Sequence, residues 1–210
     1  MTNPNVLILT ALRNEAKAIA GAIPGWQCRN LTFLTIGIRA VRLPDLTSLG
    51  PLRCIILAGL AGALDPSLQI GDVICDGDAS FPWSTGSLRR GSIHSSAEIV
   101  RTPEEKKRLF AETHAAAVDM EQSIVKAAVL PLAVPFIGIR SISDTAEDVL
   151  DPMILSWIDE VGSPRPVPIA RDLLLRPRSW RMARRLARDS KRALATLGDA
   201  VAAIVDQIGV

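Results

Sequence analysis

A chain of 210 residues that is 48% hydrophobic and 22% charged, with a formal net charge of +2, can bury a sizeable core within one domain. No apolar run approaches the roughly 18–20 residues of a membrane span, and "MTNPNVLILTAL" has no basic segment before its short apolar run, so a cytoplasmic protein is expected. With a near-neutral charge, four Trp, four Phe and no Tyr, there is little to stack or hold nucleic acid.

In chain order, "NVLILTAL" (5–12) predicts a buried strand and "RNEAKAIAGAI" (13–23) a short helix directly after it. "WQCRNLTFLTIGI" (26–38) predicts two strands around Asn30. After Gly37 comes a connection broken by proline and glycine. "RCIILAGLAGAL" (53–64) predicts an apolar strand that runs into small residues. Asp65-Pro66 and Gly71-Asp72 then mark turns around a further strand. "GSIHSSAEIV" (91–100) reads as strand and loop. "TPEEKKRLFAET" (102–113) reads as a helix with Thr102 as N-cap, Pro103 at its first position and acids in its first turn, and His114 as its C-terminal capping residue. "AVDMEQSIVKAAVL" (117–130) opens like a strand and continues like a helix. "VPFIGIRSISDTAED" (134–148) is a strand ending in a polar cluster. Strands alternating with helices give an α/β domain on a mixed or largely parallel sheet, without internal repeats.

The tail has a different character. Residues 162–210 hold a proline-rich elbow, "SPRPVP", and one long amphipathic helix with Met182, Leu186, Leu194, Leu197, Val201, Ile204 and Ile208 in a loose stripe. Nine Lys/Arg stand against two acids over residues 171–192. Such a basic face is read first as solvated, with contact to an anionic membrane or to a second subunit as the other readings. Cys28, Cys54 and Cys75 are isolated in apolar runs and read as buried thiols of a reducing compartment. His94 and His114 lie far from them, so neither a metal nor a cofactor site is expected. His94 reads as a hydrogen-bonded surface residue, and Trp83 and Trp180 as interface anchors.

Ligands of α/β sheets usually lie beyond the carboxyl ends of strands, so polar residues just past the apolar runs are the candidates. Glu15 follows the first strand. Asp119 and Glu121 flank Met120 where strand becomes helix. Arg140, Ser143 and Asp144 end the last strand, and Gly59, Ala61 and Gly62 offer backbone for close approach. Acids at a helix start are commonly caps. Three converging carboxylates also suit cleavage of a bond with a cationic transition state, one activating water and another protonating the leaving group.

"ILTALRNEAKAI", "AGLAGALDPSLQIGDVI", "VDMEQSIVKAA" and "IRSISDTAED" occur in the order found in the nucleoside phosphorylase-I superfamily, and they most resemble its methylthioadenosine/adenosylhomocysteine nucleosidase branch. The resemblance implies a three-layer α/β/α fold with a mixed, partly barrel-like sheet, to which the C-terminal amphipathic helix is added, and cleavage of a purine N-ribosidic bond. By residue, it makes Glu15 the acid that orients and deprotonates the attacking water. Met120 and Glu121 become the pair holding the ribose, and Arg140 an arginine beside the water or anion. Asp144 becomes the acid that protonates purine N7, oriented by Ser143, with a pKa raised by burial or a neighbouring acid. Asp119 keeps a structural role. The tail and "EIVRTPEEKKRLFAETHAAAVDMEQ" resemble the hopanoid-associated phosphorylase-like branch, which is generally oligomeric.

Four departures from the family pattern bear on the chemistry. Leu60 stands where a polar residue is common, and Ile55, Ile56 and Leu57 leave no arginine upstream, so a phosphate site is incomplete and water is favoured, with Arg39 or Arg140 as partial substitutes. The segment between the small-residue loop and "VDME" is short. "HSSAEIVR" has no aromatic to stack on the base, leaving Ile99 to cover it. The connection after Gly37 is too broken for a long helix. The expected function is a metal-free purine nucleosidase acting on a 5′-modified adenine nucleoside, as a homo-oligomer. A phosphate-dependent phosphorylase of the hopanoid-associated type and an inactive nucleoside-binding protein are the alternatives.

Overall fold

The computed structural model describes residues 5–77, 88–151, 156–157, 159, 161, 165–168 and 179–209, with side chains of the last helix from residue 184 onward. Eight strands form one mixed sheet: β1 (Asn5–Thr10), β2 (Leu31–Thr35), β3 (Leu52–Ala63), β4 (Val73–Gly77), β5 (Arg89–Arg90), β6 (Ile93–Ser95), β7 (Ala117–Asp119) and β8 (Phe136–Asp144). The main order is β2-β1-β3-β8-β4-β5, with β4 antiparallel to β8. β3 pairs in parallel with β1 and β8 and then, at Gly62–Ala63, antiparallel with β7, which carries β6. That change of partner along one long strand gives the sheet its partly barrel-like form.

Alternation along the central strands separates two cores, because successive side chains point to opposite faces. Val6, Ile8, Ile56 and Ala58 pack with Ile19 of helix α1 (Arg13–Ala22) and Leu197, Val201 and Ile204 of the C-terminal helix α4 (Ser179–Ile208). Leu7, Leu9, Ile55 and Leu57 pack on the other face with Val125 and Val129 of helix α3 (Gln122–Val129). Helix α2 (Pro103–Thr113) adds Leu109 and Phe110 to a smaller cluster with Leu64, Val100 and Val118. The layers are therefore α/β/α. On α4 the expected stripe is buried or half-buried from Leu186 to Ile208, while Arg184, Arg185, Arg188, Lys191 and Arg192 are exposed. Gly198 lets α4 meet α1 closely, since a Cβ there would lie 2.9 Å from the Ala18 carbonyl oxygen.

Thr102 caps α2 by accepting the Glu105 amide, and His114 ends the helix in the left-handed region at φ 53°, both as the sequence suggested. Two expectations fail. Trp26–Cys28 is a 3-10 turn rather than a strand, because Gly25 at φ +65° turns the chain and leaves only Leu31–Thr35 to pair with β1. Cys28, on that turn, is exposed, whereas Cys54 and Cys75 are buried. Trp83, the Trp180 and Met182 side chains and the start of the proline elbow lie outside the described residues. No helix among the described residues is long and apolar enough to cross a membrane, and those residues hold no cluster of metal-ligating side chains.

Candidate active site

A cavity of about 200 Å³ opens at the carboxyl ends of β1, β3, β7 and β8. Glu15, Ala61, Gly62, Ile99, Met120, Glu121, Ser143 and Asp144 all line it, brought together from five separate segments of sequence. Gly59 and Arg140 do not line it; they support groups that do.

Glu15 comes from the first turn of α1, where the chain leaves β1. Its Oε2 accepts the Leu12 amide at 2.8 Å, at the start of its own helix, and Oε1 accepts the Leu60 amide of β3 at 2.9 Å. Gly59 makes this possible, because a Cβ there would lie 2.9 Å from Oε1. Burial pushes the Glu15 carboxyl up to about 7; the two amides and the Arg140 charge oppose that shift. A carboxylate of this kind takes up and releases a proton near neutral pH.

The two acids around Met120 divide their roles. Asp119 binds the start of α3, accepting the Gln122 amide at 3.0 Å, and it also accepts the Ser95 hydroxyl at 2.7 Å. Glu121 occupies the N-cap position but makes no side-chain cap bond. Its Oε1 instead accepts the Arg39 amide at 2.9 Å. Arg39 is held at φ 57° and Ala40 at φ 53°, so a turn in the unfavourable left-handed region meets Glu121 through its backbone. Burial raises the Glu121 carboxyl above its usual range; the Arg140 charge opposes this and Asp119 adds to it.

Arg140 is placed differently from the expectation that it would stand beside water or an anion. It is 1% exposed and lies beneath the cavity. Nε donates to Asp119 Oδ2 at 3.1 Å, NH2 donates to the same oxygen, and NH1 donates to the carbonyls of Leu57 and Ile139. A guanidinium engaged in this way neutralises Asp119 and ties the end of β7 to the middle of β3 and β8.

Asp144 ends β8 beside Gly62 of β3, where a Cβ would lie 2.9 Å from Oδ2. Ser143 Oγ donates to Asp144 Oδ1 at 2.8 Å. Asp144 was expected to be buried or near another acid, and it is buried. Its close partner is instead the ammonium of Lys106, with Nζ 2.7 Å from Oδ2. Lys106 is fully buried, and sequence reading missed it. One signal was present: on α2 it stands three and four residues before Leu109 and Phe110, the positions that face the interior. The rest of the lining is largely apolar, with Leu12, Ile38, Leu60, Val100 and Leu150 alongside Ile99, and Glu98 adds a further acid. His94 is half-buried on β6 and is not part of the lining.

Residues 85–163 match the family model described as the phosphorylase superfamily. Comparison with curated proteins finds no match. Among solved structures, the chain is similar to the 5′-methylthioadenosine/S-adenosyl homocysteine nucleosidase of Helicobacter pylori at 20% identity, covering 99% of this chain and 100% of that one with a TM-score of 0.65. It is similar to the futalosine hydrolase of Helicobacter pylori at 18% identity, covering 97% and 98% with a TM-score of 0.64. The 5′-methylthioadenosine nucleosidase of Arabidopsis thaliana aligns at 14% identity over 98% and 96%, with a TM-score of 0.61. The segment that supplies Lys106, Glu121, Arg140 and Asp144 thus matches the phosphorylase superfamily, and the fold around it is that of these nucleosidases.

Proposed function

We propose that the protein is a nucleosidase that hydrolyses the N-ribosidic bond of a purine nucleoside, with a 5′-modified adenine nucleoside as substrate. One observation carries this reading: Glu15, Glu121 and Asp144 face one cavity, and no Lys or Arg side chain is among the described residues that line it. A phosphate dianion would enter against several carboxylates, with no cation among the described lining residues to receive it, and the Leu60 side chain has no hydrogen-bonding group. Water carries no such penalty.

The chemistry follows from the placement of the acids. Glu15, with its carboxyl near 7, takes a proton from a water molecule directed at C1′. The C1′–N9 electron pair passes to the purine while Asp144, which first takes up a proton from solvent, gives it to N7, and the water oxygen bonds to C1′. Glu121 accepts hydrogen bonds from the ribose hydroxyls, and its negative charge favours the oxocarbenium-like sugar. The apolar lining suits the base and an uncharged 5′ substituent. A Helicobacter pylori relative of this fold has been solved with 5′-methylthioadenosine in its active site, which supports an adenine nucleoside as the first substrate to try.

The test is base release from adenosine, methylthioadenosine, adenosylhomocysteine and a long-chain 5′-alkyl adenosine, followed by chromatography, with Asp144→Asn as control. Release by the wild type that the variant loses supports the reading. Tight binding without release from any of the four would replace it with a nucleoside-binding protein.

A further inference from the structure

Lys106 lies under the cavity and makes no contact with its open space, yet all three of its N–H donors have a defined acceptor. Nζ donates to Asp144 Oδ2 at 2.7 Å, to the Thr145 carbonyl at 2.6 Å and to the Asp148 carbonyl at 3.2 Å. An ammonium has three donors and no acceptor, so this one is fully used and fixed in direction. The loop that provides the two carbonyls is itself held. Asp148 Oδ2 accepts the Thr145 amide and hydroxyl, each at 2.8 Å, and Asp148 also pairs with Arg185 of α4.

The other charges near the pair are already engaged: Asp148 by Thr145 and Arg185, and Arg140 by Asp119. On β3, the uncharged Gly62 lies against Asp144 Oδ2. Among the described residues, Lys106 is therefore the cation that Asp144 meets. When a carboxylic acid gives its proton to a leaving base, its O–H bond breaks, an N7–H bond forms, and negative charge appears on the carboxylate. A fixed ammonium 2.7 Å from one oxygen stabilises that charge as it develops, without reorganisation.

We propose that Lys106 is the positioning residue for proton donation by Asp144, fixing the orientation of the carboxyl group and supplying the positive charge against which it ionises. This inference rests on the reading of the cavity as a nucleosidase site. Lys106 does not touch substrate, and its effect is confined to leaving groups that need a proton.

That restriction provides the test. Lys106→Met, Lys106→Arg, Asp144→Asn and the double variant Lys106→Met/Asp144→Asn are compared on a purine nucleoside and on 4-nitrophenyl riboside, whose aglycone departs without protonation. Lys106→Met is expected to lower kcat on the purine nucleoside about 100-fold, in the range of general-acid contributions, with KM little changed. On the nitrophenyl riboside it is expected to stay within about threefold of wild type, because only the protonated departure is affected. Adding Lys106→Met to Asp144→Asn should cost nothing further on the purine nucleoside, as for two residues acting in one step. Lys106→Arg, which keeps the charge, should retain more of the purine-to-nitrophenyl ratio. If Lys106→Met does not fold, Lys106→Gln against Lys106→Arg gives the same contrast of charge lost and charge kept. Equal slowing on both substrates, or full activity on both, overturns this inference alone. A wild-type protein inert to every purine nucleoside overturns the nucleosidase reading and this inference with it.

Discussion

Glu15 of α1 fits so closely against Gly59 of β3 that a methyl group on the glycine would lie 2.9 Å from Glu15 Oε1. Gly62, three residues further along the same strand, stands in the same relation to Asp144 Oδ2, also at 2.9 Å. The small-residue stretch of β3 is thus shaped by two carboxylates. Gly59→Ala should displace Glu15 and Gly62→Ala should displace Asp144, each lowering kcat by at least about tenfold and stability by about 1–3 kcal/mol through overpacking. Gly21→Ala, at an exposed position of α1 with nothing within 4 Å of the new Cβ, should instead stabilise by about 0.5–1 kcal/mol and leave activity intact. Urea unfolding and initial rates on the three variants check both directions.

The Glu15 carboxyl, raised by burial from 4.5 to about 7, makes two predictions of related origin. In its proposed role as base Glu15 works only when ionised, so kcat/KM for base release should rise with pH through about 7 and level off above it. Glu15→Gln should abolish that rise and lower the rate at least about 100-fold. Stability runs the other way. Between 4.5 and about 7 the folded state holds a proton on Glu15 that the unfolded chain has lost, so this site destabilises the fold increasingly as pH rises through that window. The melting temperature of Glu15→Gln relative to wild type should therefore improve from pH 5 to pH 8, with a change on the order of 1–3 kcal/mol. Thermal unfolding at the two pH values measures it.

Asp119 and Arg140 form a buried pair in which each neutralises the other, with side chains 0% and 2% exposed. Asp119→Asn leaves a buried guanidinium without its counter-charge and should destabilise by about 3–5 kcal/mol. Ser95→Ala removes one hydroxyl donor to the same carboxylate and should cost about 1 kcal/mol. Denaturant midpoints for the two variants check the ranking.

Much of this arrangement is visible in the sequence for simple reasons. The apolar runs at 5–10 and 52–63 carry their own strand signal, and the polar residues that follow such runs, Glu15, Glu121 and Asp144, are the ones the sheet gathers at one edge. Lys106 was hidden because it sits among charged residues in "PEEKKRLF", where a lysine ordinarily reads as solvated; only packing on Asp144 and the Thr145–Asp148 loop makes it buried. The direction of Arg140 was equally illegible. Its position at the end of β8 is local, but its partner Asp119 belongs to β7, reached only through the pairing of both strands with β3. Cys28 was misread because a 3-10 turn and a strand edge have the same short apolar composition.

The proposed function stands on attack at the sugar by water rather than phosphate, in a cavity lined by carboxylates. The most direct measurement is the identity of the sugar product when the protein cleaves its best nucleoside in phosphate buffer made with 18O-labelled water. Free 5′-modified ribose carrying the label at C1′, formed at a rate independent of phosphate, is the expected product. A sugar 1-phosphate, formed only when phosphate is present, would contradict the proposed function.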